Sequence, residues 1–241
     1  MQIENSVAFV SGANRGVGAQ FVQSLLERGA RKVYAAARNV EALATRDRHD
    51  PRVIPVTLDI TDAAQVAQAA SLAGDTTLLI NNAGINRLDR LVRARDVDAA
   101  RAEMEVNYFG TLRMCRAFEP ALIAHGGAIV NMLSILARVA LPAMGSLCAS
   151  KAAALRLTEG VRAELAAHNV RVLGVLPGAI DTEMSRDFPP PKLSVAEVVA
   201  AALDALDGGP DEVYVGAMAQ GIAAGLAADR QALQAQFASY L

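Results

Sequence analysis

Short apolar runs punctuate this chain, and the longer stretches between them space their apolar residues as helices do. The runs stand at Ser6–Val10, Lys32–Ala36, Arg52–Asp59, Thr77–Ile80, Ala128–Met132, Arg171–Leu176 and Glu212–Gly216. Each is too short for a stable helix, and runs this apolar suit strands buried in a central sheet. Helical patterns occupy Ala19–Arg28, a segment opening near Thr61 or Asp62, Asp96–Ala124, Ser146–Ala166 and the Ala-rich tail towards Leu241. Glu183–Leu193, with Pro189, Pro190 and Pro191, reads as a loop. Strands alternating with helices predict an α/β fold, a Rossmann-type doubly wound parallel sheet in three layers. The ligand crevice of such a sheet lies at the carboxyl ends of its strands. With no repeat, linker or low-complexity break, residues 1–241 are expected to form a single domain.

Composition narrows the partners. A chain of 241 residues that is 53% hydrophobic can bury a sizeable core, and its formal net charge of −2 offers no basic excess for a nucleic acid. A small-molecule substrate is expected instead. Two cysteines, Cys115 and Cys148, and three histidines show no metal-ligand spacing, so no metal is expected. The N-terminus has neither a basic region nor a long apolar run after it, and no segment is long enough to span a membrane, so a cytoplasmic protein is expected.

The first strand leads directly into Ser11-Gly-Ala-Asn-Arg-Gly-Val-Gly18 and then a helix. Gly12, Gly16 and Gly18 allow a tight turn whose backbone can approach a pyrophosphate at the helix N-terminus. Turns also collect glycine for steric reasons alone. The second strand ends at Ala37 and Arg38, where dinucleotide folds often carry an acid that binds ribose hydroxyls. An alanine there repels no 2′-phosphate, and Arg38 and Arg15 can offer charge-assisted bonds to one, which favours NADP(H) over NAD(H). The competing reading makes both arginines solvated surface charges.

The segment Ala128–Ala153 reads as strand, loop and helix, and brings Ser134 towards Ser150 and Lys151. Together with Ser146-Leu-Cys-Ala-Ser-Lys151, it resembles the active-site segment of the short-chain dehydrogenase/reductase family, a Ser followed by Tyr-x-x-x-Lys. Ser134 and Lys151 fall on the family's Ser and Lys. Leu147 falls on its Tyr. Other segments carry the resemblance across most of the chain: the glycine loop, Asn81-Asn-Ala-Gly84, Glu105-Val-Asn-Tyr-Phe-Gly110 and Pro177-Gly-Ala-Ile-Asp-Thr182.

The resemblance implies an NADP-dependent oxidoreductase that moves hydride to or from a small organic substrate. It assigns catalytic roles to Ser134, Lys151 and Asn107, and substrate contacts to Ser134 and Leu147. Cofactor contacts fall to Gly12, Asn14, Arg15, Gly16, Val17, Gly18, Arg38, Asp59, Ile60, Asn82, Ala83, Gly84, Lys151, Pro177, Gly178 and Thr182. It also implies a homodimer or homotetramer built on the helices bearing Asn107 and Lys151. Three assignments have bland alternatives: Asp59 as a cap of the following helix, Asn107 as an amide bonding its neighbours, and the turn of Asn82, Ala83 and Gly84 as a structural brace of the central sheet.

The missing Tyr removes the family's proton donor for carbonyl reduction, and Leu147 cannot replace it. Cys148 points about 100° away around the helix, and Tyr108 has no motif behind it. Three readings follow: hydride transfer to an imine or activated C=C bond by another proton route, a non-catalytic nucleotide-binding protein, or a carbonyl reductase disabled by substitution at 147. Retention of Ser134, Asn107 and Lys151 favours the first and third.

Overall fold

The computed structural model describes residues 1–43, 47 and 49–240. Seven parallel strands form one sheet in the order β3-β2-β1-β4-β5-β6-β7. They are β1 (Val7–Ser11), β2 (Lys32–Ala37), β3 (Val53–Thr57), β4 (Leu78–Asn81), β5 (Ala128–Met132), β6 (Arg171–Pro177) and β7 (Glu212–Val215). Each lies within a residue or two of its predicted run. β1, β4 and β5 are buried along their whole length, which is why they carry apolar residues at successive positions.

The helices divide between the faces. Helices α1 (Gly16–Glu27) and α6 (Val195–Ala205) pack with Ala8, Val10, Leu78 and Val130 in one core. Helices α2 (Ala63–Leu72) and α4 (Thr111–His125) close the other around Phe9, Leu79 and Ile129, joined by the end of α5 (Gly145–Leu165). Phe9 meets Phe118 there with ring centroids 4.6 Å apart. No helix among the described residues is long and apolar enough to cross a membrane.

Three expectations change. The helix predicted over Asp96–Ala124 is composite: α3 (Asp98–Glu103), a π-helical segment Met104–Gly110, then α4. The Ala-rich tail is two helices, α7 (Gly216–Ala228) and α8 (Arg230–Ala238), because Asp229 turns extended and its carboxylate caps the second through Ala232 N–H at 2.9 Å. Helix α6 is not among the predicted helices, although Ser194 and Glu197 form a reciprocal capping box at its start.

Strand order reverses between β1 and β4, the neighbours of the first strand being β2 and β4. The crevice at that switch point opens at the carboxyl ends of the strands. The glycine loop, the Asn82 turn, Ser134 and Gly178 all follow those ends.

Candidate active site

A single cleft of about 1460 Å³ gathers nearly all the residues singled out in the sequence. At one end, Gly12 has φ +66°, and a Cβ added at Gly18 would stand 2.0 Å from the Gly12 carbonyl oxygen. Glycine is therefore obligatory at both positions. Gly18 lies beneath the loop, so its role is close packing, while Gly12, Asn14, Arg15, Gly16 and Val17 line the cleft. Helix α1 opens at Gly16 with no side chain capping its first turn. Its free N–H groups face the cleft end and fit an anionic diphosphate.

Hydrogen bonds tie this loop to the turn after β4. The Asn82 amide donates to the carbonyls of Ser11 and Gly12 at 3.1 Å each, and Ser11 Oγ accepts from the N–H groups of Asn82 and Ala83, also at 3.1 Å. Ser11 was not among the predicted site residues. Its hydroxyl is what joins two parts of the crevice.

The charged groups partly depart from expectation. Arg38 is exposed at the end of β2 and lines the cleft beside Ala37. Arg15 instead pairs with Glu183 from the loop after β6, so its guanidinium has a carboxylate partner across the cleft. Asp59 accepts from Thr61 N–H and Oγ–H at 2.9 and 2.7 Å, while Asp62 caps α2 through Ala64 and Gln65. Asp59 thus orders the turn rather than the helix, and still lines the cleft with Ile60.

At the other end stand Ser134, Leu147 and Lys151. Ser134 follows β5 and caps a short turn, its Oγ accepting from Leu136 N–H at 3.1 Å. Arg138, at the end of that turn, donates to both carboxylate oxygens of Glu212 on β7, which anchors the turn to the sheet. Lys151 Nζ donates to the Met132 carbonyl at 2.8 Å. Burial pushes its ammonium down to about 8, opposed by the Glu103 carboxylate.

Asn107 lies in the π-helical segment and is buried. Its amide donates to the Ile85 carbonyl and Ser150 Oγ at 3.0 Å each, and its oxygen accepts from Ile85 N–H at 2.9 Å. It therefore staples the β4 turn to α5 instead of lining the cleft. A Cβ on Gly84 would stand 3.1 Å from the Asn107 oxygen and 3.6 Å from Lys151 Nζ, so the Lys ammonium approaches this turn closely.

Leu147, the position for which the sequence resemblance implies a phenol, is buried and lines the cleft. Neither Cys148 nor Tyr108 takes its place. Cys148 is turned to the Leu141 backbone, whose N–H donates to its Sγ at 3.3 Å, and burial pushes its thiol up. Tyr108 packs edge-on against Phe109 outside the cleft.

A family model described as short chain dehydrogenase matches residues 6–192. This chain belongs to the short-chain dehydrogenase family. It is therefore an oxidoreductase by family, with the α/β fold of that family. It is 32% identical to a sorbitol dehydrogenase of Cereibacter sphaeroides over 76% of this chain and 73% of the relative. Over 89% of this chain and 85% of the relative, it is 32% identical to a 1-deoxy-11-beta-hydroxypentalenate dehydrogenase of Streptomyces avermitilis. A short chain dehydrogenase from Burkholderia cenocepacia, solved in complex with NADP, is 67% identical with a TM-score of 0.95, covering 98% of this chain and 99% of that one.

The remaining wall of this short-chain dehydrogenase's cleft was not legible in the motifs. Leu136, Leu141 and Met144 contribute from beside Ser134, Phe188 from the proline-containing loop, and Met218, Ile222, Leu233 and Phe237 from α7 and α8. Gln236 and Tyr240 add polar groups from α8 and the residues after it. Pro177, Gly178 and Thr182 complete the lining between the two ends.

Proposed function

We propose that this short-chain dehydrogenase transfers hydride between NADPH and an apolar organic substrate, with a proton route that uses no tyrosine at position 147. The observation that carries this reading is the cleft itself. Ser134 and Lys151 stand beside a buried leucine, and apolar side chains line the space beyond them. A bound dinucleotide would supply the hydride. The residues fit it: the Gly12–Gly18 close approach leaves no room for side chains under a pyrophosphate, and the first turn of α1 offers unpaired N–H groups.

Ala37 and Arg38 at the end of β2 support NADP(H), as does the 67% identical relative solved with NADP. Arg38 is the group for the 2′-phosphate; Arg15 would have to leave Glu183 to assist it. Lys151 and the Ser134 hydroxyl serve the reacting end, the first as a cation close to the Gly84 turn, the second as a donor to a substrate heteroatom. An imine or an activated C=C bond suits this set, because neither requires a phenol to protonate a forming alkoxide. A homodimer or homotetramer belongs to the same proposal, supported by Phe109, which is 43% exposed on the π-helical segment.

Turnover by the unaltered protein tests the reading. With NADPH and a panel of apolar imines, activated alkenes and ketones, absorbance should fall for imines or alkenes and barely for ketones. Binding of NADPH without turnover of any class would instead make the chain a nucleotide-binding module.

A further inference from the structure

Helix α7 carries three glycines, and glycine inside a helix destabilises it unless something requires the missing side chain. Two of the three are required. Gly216 opens the helix at φ +86°, and a Cβ on Gly225 would meet Leu233 of α8 at 3.2 Å. Gly221, in mid-helix, is different. Its φ is not in the left-handed region, and a Cβ added there would meet no described atom within 4 Å beyond the helix's own backbone. Neither backbone conformation nor packing therefore calls for glycine at this position.

The open space beside Gly221 belongs to the cleft. Gly221 lines it together with Ala217, Met218 and Ile222, which share one face of α7. Leu233 and Phe237, four residues apart on α8, line the same end. Phe237 packs against the cluster that contains Ile222, so its ring and the bare stretch of α7 form one wall. Gly160 of α5 also has open surroundings but lies outside the cleft, so it is the place in the lining that gives Gly221 a role. The cleft, at about 1460 Å³, exceeds the roughly 300–1,000 Å³ that one ligand site occupies, which leaves room for a sizeable second ligand beside a dinucleotide.

We propose that Gly221 is a specificity-determining residue: the side chain it lacks leaves a bare patch of helix on which the body of a ring-bearing apolar substrate rests, edged by Met218, Ile222 and Phe237. This names the substrate class for the hydride-transfer reading and rests on that reading for the reaction itself. A ring system is rigid and needs an unbroken surface, whereas a flexible chain can bend past an obstruction. Any side chain at 221 would put atoms where the ring lies. None of the α7 and α8 residues lining the cleft is charged, so apolar contact holds the substrate body there. The helical stability that glycine forgoes is the counterpart of that space.

The experiment measures binding of N-phenyl-1-naphthylamine, a neutral aromatic probe whose fluorescence rises in apolar surroundings, to the full-length protein saturated with NADP⁺. Gly221→Leu should weaken the probe by about tenfold or more, and Gly221→Ala, which adds one methyl to the same space, by about threefold. Because the position is unpacked and leucine favours helix, Tm of the Leu variant should rise by about 2–3 °C. Unchanged or tighter probe binding in either folded variant would overturn the assignment. A fall in Tm, or a Leu variant that does not fold, would show the position to be packed and would overturn it too. So would loss of NADP⁺ affinity along with the probe, which would place the disturbance in the whole cleft. The titration needs no turnover: a protein that binds the probe as described but reduces no substrate defeats the hydride-transfer reading and leaves the apolar subsite standing.

Discussion

Single side chains decide what this cleft can hold and which chemistry it can perform. Arg38, exposed beside Ala37 in the lining of the cleft, is where NADP and NAD would be told apart. Charge-assisted bonds to a phosphate contribute about 1.5–3 kcal/mol, so Arg38→Ala should weaken NADPH binding by about tenfold to a hundredfold and leave NADH binding nearly unchanged. Equilibrium titration of nicotinamide fluorescence measures both; an unchanged preference would remove Arg38 from the phosphate site. At this scale the sequence was informative where a residue's role follows from its type alone. Gly12 and Gly18 are the clearest cases, because the 2.0 Å approach at Gly18 admits nothing larger. It was less informative where a role depends on a partner from elsewhere. Arg15 looked like a second phosphate ligand until Glu183 stood against it.

Between residues and the whole sheet, a buried polar chain links two strands and a helix. Asn81 on β4 donates to Asn131 on β5 at 2.9 Å, and Asn131 donates to Thr158 on α5 at the same distance. These side chains hold α5, and so Lys151, in fixed register with the strand that ends at Ser134. Removing the middle member takes a buried partner from both neighbours, leaving Asn81 only the Cys115 sulfur and Thr158 only the Ala154 carbonyl, at about 1–3 kcal/mol. Asn131→Ala should therefore lower the Tm by about 5 °C in a thermal melt; no change would show that the chain of bonds is dispensable. The strands and most helices were legible because two-faced burial and helical spacing leave strong patterns. The π-helical segment was not, since a single wide turn changes the hydrogen-bonding and not the composition. The break at Asp229 carried only the capping signal of one carboxylate within an Ala-rich run.

Across the whole molecule, the cleft is assembled from parts far apart in the chain. The end proposed for the cofactor comes from the first four strands and the helix after β1, whereas the end proposed for the substrate is closed by α7 and α8, the last helices among the described residues. That closure could not be read from local patterns, because nothing in residues 216–240 carries a motif. Phe237 packs on the small cluster of Ile135, Val139, Ala219 and Ile222 while facing the cleft. Phe237→Ala removes apolar contact worth on the order of 1 kcal/mol, so KM for a bulky apolar substrate should rise about fivefold with kcat little changed. Equal effects on small and bulky substrates would place the ring outside the substrate's path.

Position 147 remains the point on which the functional account turns, and one comparison addresses it. The kcat/KM for ketones, imines and activated alkenes with NADPH would be measured for the unaltered protein and for Leu147→Tyr in parallel. A positioned general acid typically contributes about 10²- to 10⁴-fold, so the variant should gain at least a hundredfold on ketones, while the unaltered protein already turns over imines or alkenes. If the unaltered protein is silent on all three and the variant gains on ketones, the site is a carbonyl reductase that has lost its acid, and a proton route without tyrosine is contradicted.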